Sequence, residues 1–273
     1  MAAPEPGPSL VLAELSAAAS PAGTEAPLRG SDLGRVDVQA PAAIAIVDGR
    51  IAAVGHPDDV LREHAGLERV DCRGAVAIPG LVDCHTHPAF GGDRAGEFDL
   101  RAQGADYERI HASGGGIRST VEATRRLGAD GLGEATALHF GWMAANGTTT
   151  AEGKSGYGLD RDTELASLAA VAGPHPIATV PTYLGAHSVP PEAGSADDYL
   201  DFAIAEVLPE AAKLAEHADV FLERGAFSAE QADRYLRAAM GHGLVARLHG
   251  DQFTESGAIP LAIELGARSV DHL

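Results

Sequence analysis

The feature that most constrains this chain is an alternation that begins near residue 75 and continues to residue 273. Short apolar stretches at 76–84, 148–152, 177–184, 220–223, 244–248 and 268–273 read as strands. Between them, segments at 117–127, 133–145, 163–171, 199–215, 229–240 and 258–265 carry apolar residues at helical spacing. The helix at 229–240 is announced by Ser228 with Gln231 three positions on, the pattern in which each side chain bonds the other's backbone N–H. Strands and helices taken strictly in turn predict an α/β fold with a parallel sheet, since each parallel connection must cross over through a helix.

A parallel sheet either stays open or closes on itself, and the polar residues separate the two. His85, His87, Lys154, Tyr157, His187, His249 and His272 all stand at or just past the C-terminal ends of the expected strands. In a (β/α) barrel those ends converge on one mouth, so residues far apart in sequence become neighbours. An open sheet gathers its chemistry at one switch point, often with a glycine-rich phosphate loop after the first strand. The cluster Gly114-Gly-Gly116 precedes a helix but follows no strand. The expected fold is therefore a (β/α)8 TIM-type barrel, incomplete because only about six of its eight strands are found.

Ahead of the barrel the texture is different. Ala43-Ile-Ala-Ile-Val47 and Arg50-Ile-Ala-Ala-Val54 are joined by Asp48-Gly49, a strong hairpin signal because both turn residues tolerate positive φ. We expect residues 1–28 to be a poorly ordered start with an edge strand at 10–15, residues 29–75 a small β domain, and residues 76–273 the barrel.

Charge narrows the function. Twenty Lys and Arg against 39 Asp and Glu leave a net charge of −19, which disfavours a nucleic-acid partner. No apolar run approaches the roughly 20 residues that span a bilayer, and no basic region precedes the Ala/Pro-rich start. Two cysteines, Cys72 and Cys84, are too few for a disulfide framework. A soluble cytoplasmic protein without a membrane partner is expected.

His85 and His87 are two apart on a strand, so both imidazoles face one side and can share a divalent ion; the plainer alternative is two surface histidines in a loop. His249 ends the strand at 244–248 and offers a third ligand from across the mouth. His272 would stand beside that ion, orienting water or stabilising charge on an attacked carbonyl, unless it is simply a strand histidine held by Asp271. A hydrolytic metal site generally also wants a carboxylate to accept a proton. None sits at a seventh or eighth strand, and the chain reads as an N-terminal fragment. Arg94, in Phe90-Gly-Gly-Asp-Arg94, has the planar guanidinium suited to a substrate carboxylate, and Tyr157 is flanked by glycines that let a turn present its phenol. Lys154 is read as a structural or supporting cation in preference to a carbamylated ligand bridging two metals. Cys84 adjoins His85 but faces the opposite side of the strand, which makes a poor catalytic dyad.

The run Pro79-Gly-Leu-Val-Asp-Cys-His-Thr-His87 resembles the metal-binding signature of the amidohydrolase superfamily. Phe90-Gly-Gly-Asp-Arg94, Gly114-Gly-Gly-Ile-Arg-Ser-Thr120, Gly147-Thr-Thr-Thr150, Lys154-Ser-Gly-Tyr-Gly-Leu159, Gly185-Ala-His187 and Val270-Asp-His-Leu273 are similar to segments of the imidazolonepropionase family within it. The similarity runs from about residue 43 to the end. It implies that His85, His87 and His249 bind one zinc or iron ion, that Arg94 and Tyr157 hold a propanoate carboxylate, and that His187 meets the imidazolone ring. Tyr107 would line the same pocket and His272 would assist attack by water. Gln252 stands where many members have Glu; an amide can bind the ring but cannot act as a base. The implied reaction is hydrolysis of the cyclic amide of 4-imidazolone-5-propanoate to N-formimidoyl-L-glutamate, the third step of histidine degradation, and the expected partner is that small carboxylate, with a homodimer as the assembly. The small β domain would be half of a β-sandwich that the family completes from its C-terminus. A deaminase or another cyclic-amide hydrolase would share the histidines without needing the Arg94–Tyr157 clamp. A truncated, inactive chain is the reading of a different class.

Overall fold

The structure, a computed structural model, describes residues 7–23, 28–104 and 115–273. Two units divide the chain, Met1–Gly80 and Leu81–Leu273.

The first unit is built from β1 (Leu10–Leu15), β2 (Ala17–Pro21), β3 (Val36–Gln39), β4 (Ala42–Val47), β5 (Arg50–Gly55), helix α1 (Pro57–Glu63), β6 (Glu68–Asp71) and β7 (Val76–Ala77). Its strands form a four-stranded sheet in the order β5-β4-β1-β6 and a three-stranded sheet in the order β3-β2-β7. Leu15, Ala42 and Ile44 of the larger sheet pack with Ala18 of the smaller, which makes the unit sandwich-like. The Asp48-Gly49 turn forms the expected hairpin, with φ of 50° and 75°. Residues 10–15 are not an edge strand. β1 lies between β4 and β6, with Val11 fully buried, because its apolar side chains serve two neighbours that no local pattern could name. Likewise 76–77 joins β2 and does not begin the barrel. Pro79, which lacks an N–H, and Gly80 interrupt the run, and the next strand starts at Leu81.

In the second unit β8 (Leu81–Thr86), β9 (Thr148–Lys154), β10 (Ala178–Ala186), β11 (His217–Leu222), β12 (Val245–Gly250) and β13 (Val270–Asp271) form one sheet in sequential order, every pair parallel. Helices α2 (Ala95–Ala102), α3 (Ile117–Ala145), α4 (Arg161–Ala172), α5 (Ala196–Phe202), α6 (Leu208–Ala211), α7 (Ala229–Gly241) and α8 (Ala258–Leu265) fill the crossovers. Gly128, at φ 66°, breaks α3 into the two helical segments that its sequence predicts. Between α5 and α6 the chain widens into a π turn, Ala203–Val207, where an unbroken helix was expected. Pro209 supplies the reason, since it has no N–H to continue the α pattern. Leu168, Leu200, Leu208, Tyr235 and Leu236 from the helices close over Val220, Leu222 and Leu248 from the strands to make the core.

One contact measures the curl of this sheet. In a flat sheet the five steps from β8 to β13, at about 4.8 Å each, would hold the outer strands about 24 Å apart. Yet His85 Nδ1 on β8 lies 3.1 Å from Asp271 Oδ2 on β13. The sheet therefore bends until the C-terminal ends of its first and last strands meet, as an incomplete TIM-type barrel does.

The predicted reciprocal cap is present at the start of α7, where Ser228 Oγ accepts from Gln231 N at 3.2 Å and Gln231 Oε1 accepts from Ser228 N at 3.0 Å. Replacing Ser228 by Ala should lower stability by about 1 kcal/mol, read as a lower urea midpoint with unchanged slope. An unchanged midpoint would show that the cap contributes nothing.

Candidate metal centre

Three imidazoles meet at the mouth. His87 Nε2 lies 3.3 Å from His85 Nε2 and 3.3 Å from His249 Nε2. His85, His249 and His272 also offer ligand atoms within 4.8 Å of one another. The strand alternation that places His85 and His87 together was legible in the sequence. Bringing His249 to them takes the curl of the sheet.

The carboxylates placed behind the rings indicate what this cluster can hold. His85 Nδ1 faces Asp271, and His249 Nδ1 lies 3.0 Å from Asp219 Oδ2. Both contacts are short, though the ring N–H points off the line to the oxygen. A carboxylate beside Nδ1 draws the proton to that nitrogen and leaves Nε2 as a lone pair. Lone pairs aimed at one another at 3.3 Å repel unless a cation lies between them. Tetrahedral zinc, with Zn–N distances of about 2.0–2.1 Å, sets its ligand nitrogens about 3.3–3.4 Å apart. The donor set thus fits a divalent transition metal. Burial and the neighbouring imidazoles of His187, His249 and His85 push the His87 pKa well down, so His87 is neutral, as a ligand must be.

Beside the imidazoles lies a buried charge network in which Lys154 is the supporting cation its sequence position suggests, while its partners Glu152 and Asp219 were not anticipated. Lys154 Nζ donates to Glu152 Oε1 and to Asp219 Oδ2, each at 2.7 Å, and all three side chains are buried. Burial acts to lower the Lys154 pKa, but the Asp219 and Glu152 carboxylates outweigh it and hold the ammonium above its ordinary value. Burial would raise Asp219; His249 and Lys154 beside it win and keep it well below the usual carboxylate range. Asp219 Oδ1 accepts in addition from the His249 backbone N–H at 3.1 Å. Asp219 is thus locked to the strand that carries the ligand. One signal could have found it, an acid inside the otherwise apolar run Ala-Asp-Val-Phe-Leu of a buried parallel strand. The Asp271 carboxylate meets His85, so the plainer alternative, a His272 held by Asp271, is not the arrangement found.

His272 is exposed, at the edge of the cluster, with ring centroids 4.8 Å from His85 and 4.9 Å from His249. Partial desolvation at the rim and those two imidazoles lower its pKa, so it is a neutral base. Arg94 projects from the loop after β8. Its Nε donates to Thr120 Oγ1 at 2.8 Å, its Cζ is 5.9 Å from the Tyr157 ring centre, and its buried Nη2 has no partner among the described residues. His187 is buried against both, its ring 5.1 Å from Tyr157 and 5.4 Å from His87. These groups and Gln252 line one cavity of about 680 Å³. Glu223 holds the Gln252 loop by accepting from the backbone N–H groups of Phe253 and Thr254. Tyr107 lies outside the described residues.

Replacing Asp219 by Asn should weaken zinc binding by about 10- to 100-fold, measured by competition with a chromophoric chelator, while His85→Ala should abolish it. Wild-type affinity in a folded Asp219→Asn protein would show that this carboxylate does not support the ligand.

The chain is 60% identical over 273 residues to an imidazolonepropionase of Rubrobacter xylanophilus, an alignment covering 98% of this chain and 66% of the relative. An imidazolonepropionase of Chloroflexus aggregans is 45% identical, with 90% and 61% covered. The chain therefore spans less than two thirds of the length of these relatives. No family model matches it. Among solved structures, guanine deaminase from C. acetobutylicum aligns at a TM-score of 0.56 with 14% identity, covering 95% of this chain and 57% of the other. The A. niger ochratoxinase aligns at 0.52 with 17% identity, covering 96% and 60%. Those two likenesses are of fold alone. With its histidine cluster, its Arg94 loop and these close sequence relatives, the chain belongs to the imidazolonepropionase family.

Proposed function

We propose that the protein hydrolyses the ring C–N bond of 4-imidazolone-5-propanoate to give N-formimidoyl-L-glutamate. The observation that carries this reading is Arg94, a part-buried guanidinium whose buried Nη2 has no partner among the described residues, in one cavity with a cluster of imidazoles. A deaminase or a simple lactam hydrolase, whose substrate carries no carboxylate, does not need an Arg94–Tyr157 clamp. A cyclic amide bearing a carboxylate tail needs it.

His85, His87 and His249 would hold one zinc or iron ion, which when bound supplies Lewis acidity and lowers the pKa of water to about 7. The residues of the chain do the rest. Arg94 takes the propanoate oxygens, with its plane set by Thr120 and its charge shared with the Tyr157 ring. Gln252 binds the ring through its amide. His272, neutral and close to His85 and His249, accepts a proton from the attacking water at its free ring nitrogen and returns it to the leaving ring nitrogen. One water is consumed. Its oxygen remains on the former ring carbonyl as a carboxylate, and the nitrogen released from that carbon becomes the end of the formimidoyl group.

The full-length protein, loaded with zinc, should turn over 4-imidazolone-5-propanoate, and Arg94→Ala should raise KM by about 10- to 100-fold with kcat changed far less. The ring lacking its propanoate should be a poor substrate for wild type and variant alike. An Arg94→Ala enzyme with wild-type KM would overturn the carboxylate reading.

A further inference from the structure

The loop that presents Tyr157 is organised by one carboxylate. Glu164, on the first turn of α4, is 1% exposed, and no Lys, Arg or His among the described residues pairs with it. It is met by backbone N–H groups and by the Ser155 hydroxyl. Its Oε1 accepts from Gly158 N at 2.7 Å, Leu159 N at 3.0 Å and Gly156 N at 3.2 Å, while Oε2 lies 3.1 Å from Gly156 N. The three amides aim inward only because the loop is wrapped tightly. Gly156 has φ 110°, and a Cβ there would stand 2.8 Å from Leu184 O and 3.0 Å from His187 Nδ1. A Cβ on Gly158 would stand 2.6 Å from the Glu164 backbone nitrogen.

That wrapping reaches the cavity at two places. Tyr157 lies between the two glycines, so its ring direction is set by amides that Glu164 holds on either side. The Gly156 carbonyl meets His187 Nδ1 at 2.8 Å. A carbonyl can only accept, so Nδ1 carries the proton. With the proton on Nδ1, the other nitrogen of the neutral imidazole, Nε2, is the acceptor. His187 is thereby committed to receiving an N–H, the complement of a ring amide or amidine.

We propose that Glu164 is a positioning residue for ligand recognition: by gathering the amides of Gly156, Gly158 and Leu159 it fixes both the Tyr157 phenol and the Nδ1–H tautomer of His187, which selects ligands that present a ring N–H beside a carboxylate. The ligand class rests on the function proposed above; the positioning does not.

The test uses full-length protein loaded with zinc, 3-(imidazol-4-yl)propanoate as a probe that cannot be hydrolysed, and ¹⁵N-histidine spectra in which His187 is assigned by its loss in His187→Gln. Wild type should show His187 as the Nδ1–H tautomer. In Glu164→Gln one carboxylate oxygen that accepts from backbone N–H groups becomes an NH2 donor facing them. That variant should keep wild-type zinc affinity, bind the probe at least 10-fold more weakly and show His187 divided between tautomers. Its KM should rise while kcat changes much less, and Glu164→Asp should recover part of the affinity. Wild-type probe affinity with an unaltered tautomer in folded Glu164→Gln would overturn the proposal. Should that variant fail to fold, Glu164→Asp and the wild-type spectrum decide: unweakened binding by Glu164→Asp, or His187 protonated on Nε2 in wild type, overturns it equally. If wild type itself ignores the probe, the proposed substrate falls, and the tautomer comparison still tests Glu164.

Discussion

Imidazole nitrogens crowded against one another at 3.3 Å are the constraint on which the rest of this unit depends. Left alone, His85, His87 and His249 would turn away from each other or take up protons. They are held in place because each component around them removes one of those escapes. Curl of the sheet brings β8 against β12 and β13, carboxylates at Asp219 and Asp271 draw protons to the far side of two rings, and burial keeps His87 neutral. A fold that spends so much order on mutual repulsion makes sense only with a cation at the centre.

The support is unusually deep in charge. A fully buried Lys154 between Glu152 and Asp219 is costly to desolvate and returns little net stability. Its worth lies in geometry. With the Lys154 ammonium on one side of Asp219 Oδ2 and the His249 ring on the other, that carboxylate has no second orientation available, so the ligand histidine has none either. The same logic, with backbone dipoles in place of a lysine, governs Glu164 and Glu223.

What the sequence made legible is whatever depends on local pattern. The Asp48-Gly49 hairpin, the Ser228–Gln231 cap, the break in the long helix near Gly128 and the shared face of His85 and His87 all follow from spacing within a few residues. What it hid depends on distant partners. β1 is interior to its sheet because β4 and β6 flank it, and Asp219 matters because it meets Lys154, 65 residues away. Asp271 stands beside His272 in sequence and serves His85 in space. An acid within a strand marks an unusual position, but only the closed curve of the sheet says which ring it faces.

The segment from Glu152 to Glu164 joins the metal end of the cavity to its ligand end. Along β9 the alternation of a strand sends Glu152 and Lys154 inward, toward the ligand support. Two residues later the chain turns at Gly156, and the next side chain, Tyr157, belongs to the pocket instead. One continuous stretch thus anchors the metal end and shapes the ligand end, and it is pinned at both ends by buried charge, Lys154 before the turn and Glu164 after it. A displacement of the loop therefore cannot be confined to Tyr157. It would be felt through the Gly156 carbonyl at His187 and through the strand at Asp219, which is why a carboxylate with no substrate contact can govern what the cavity accepts.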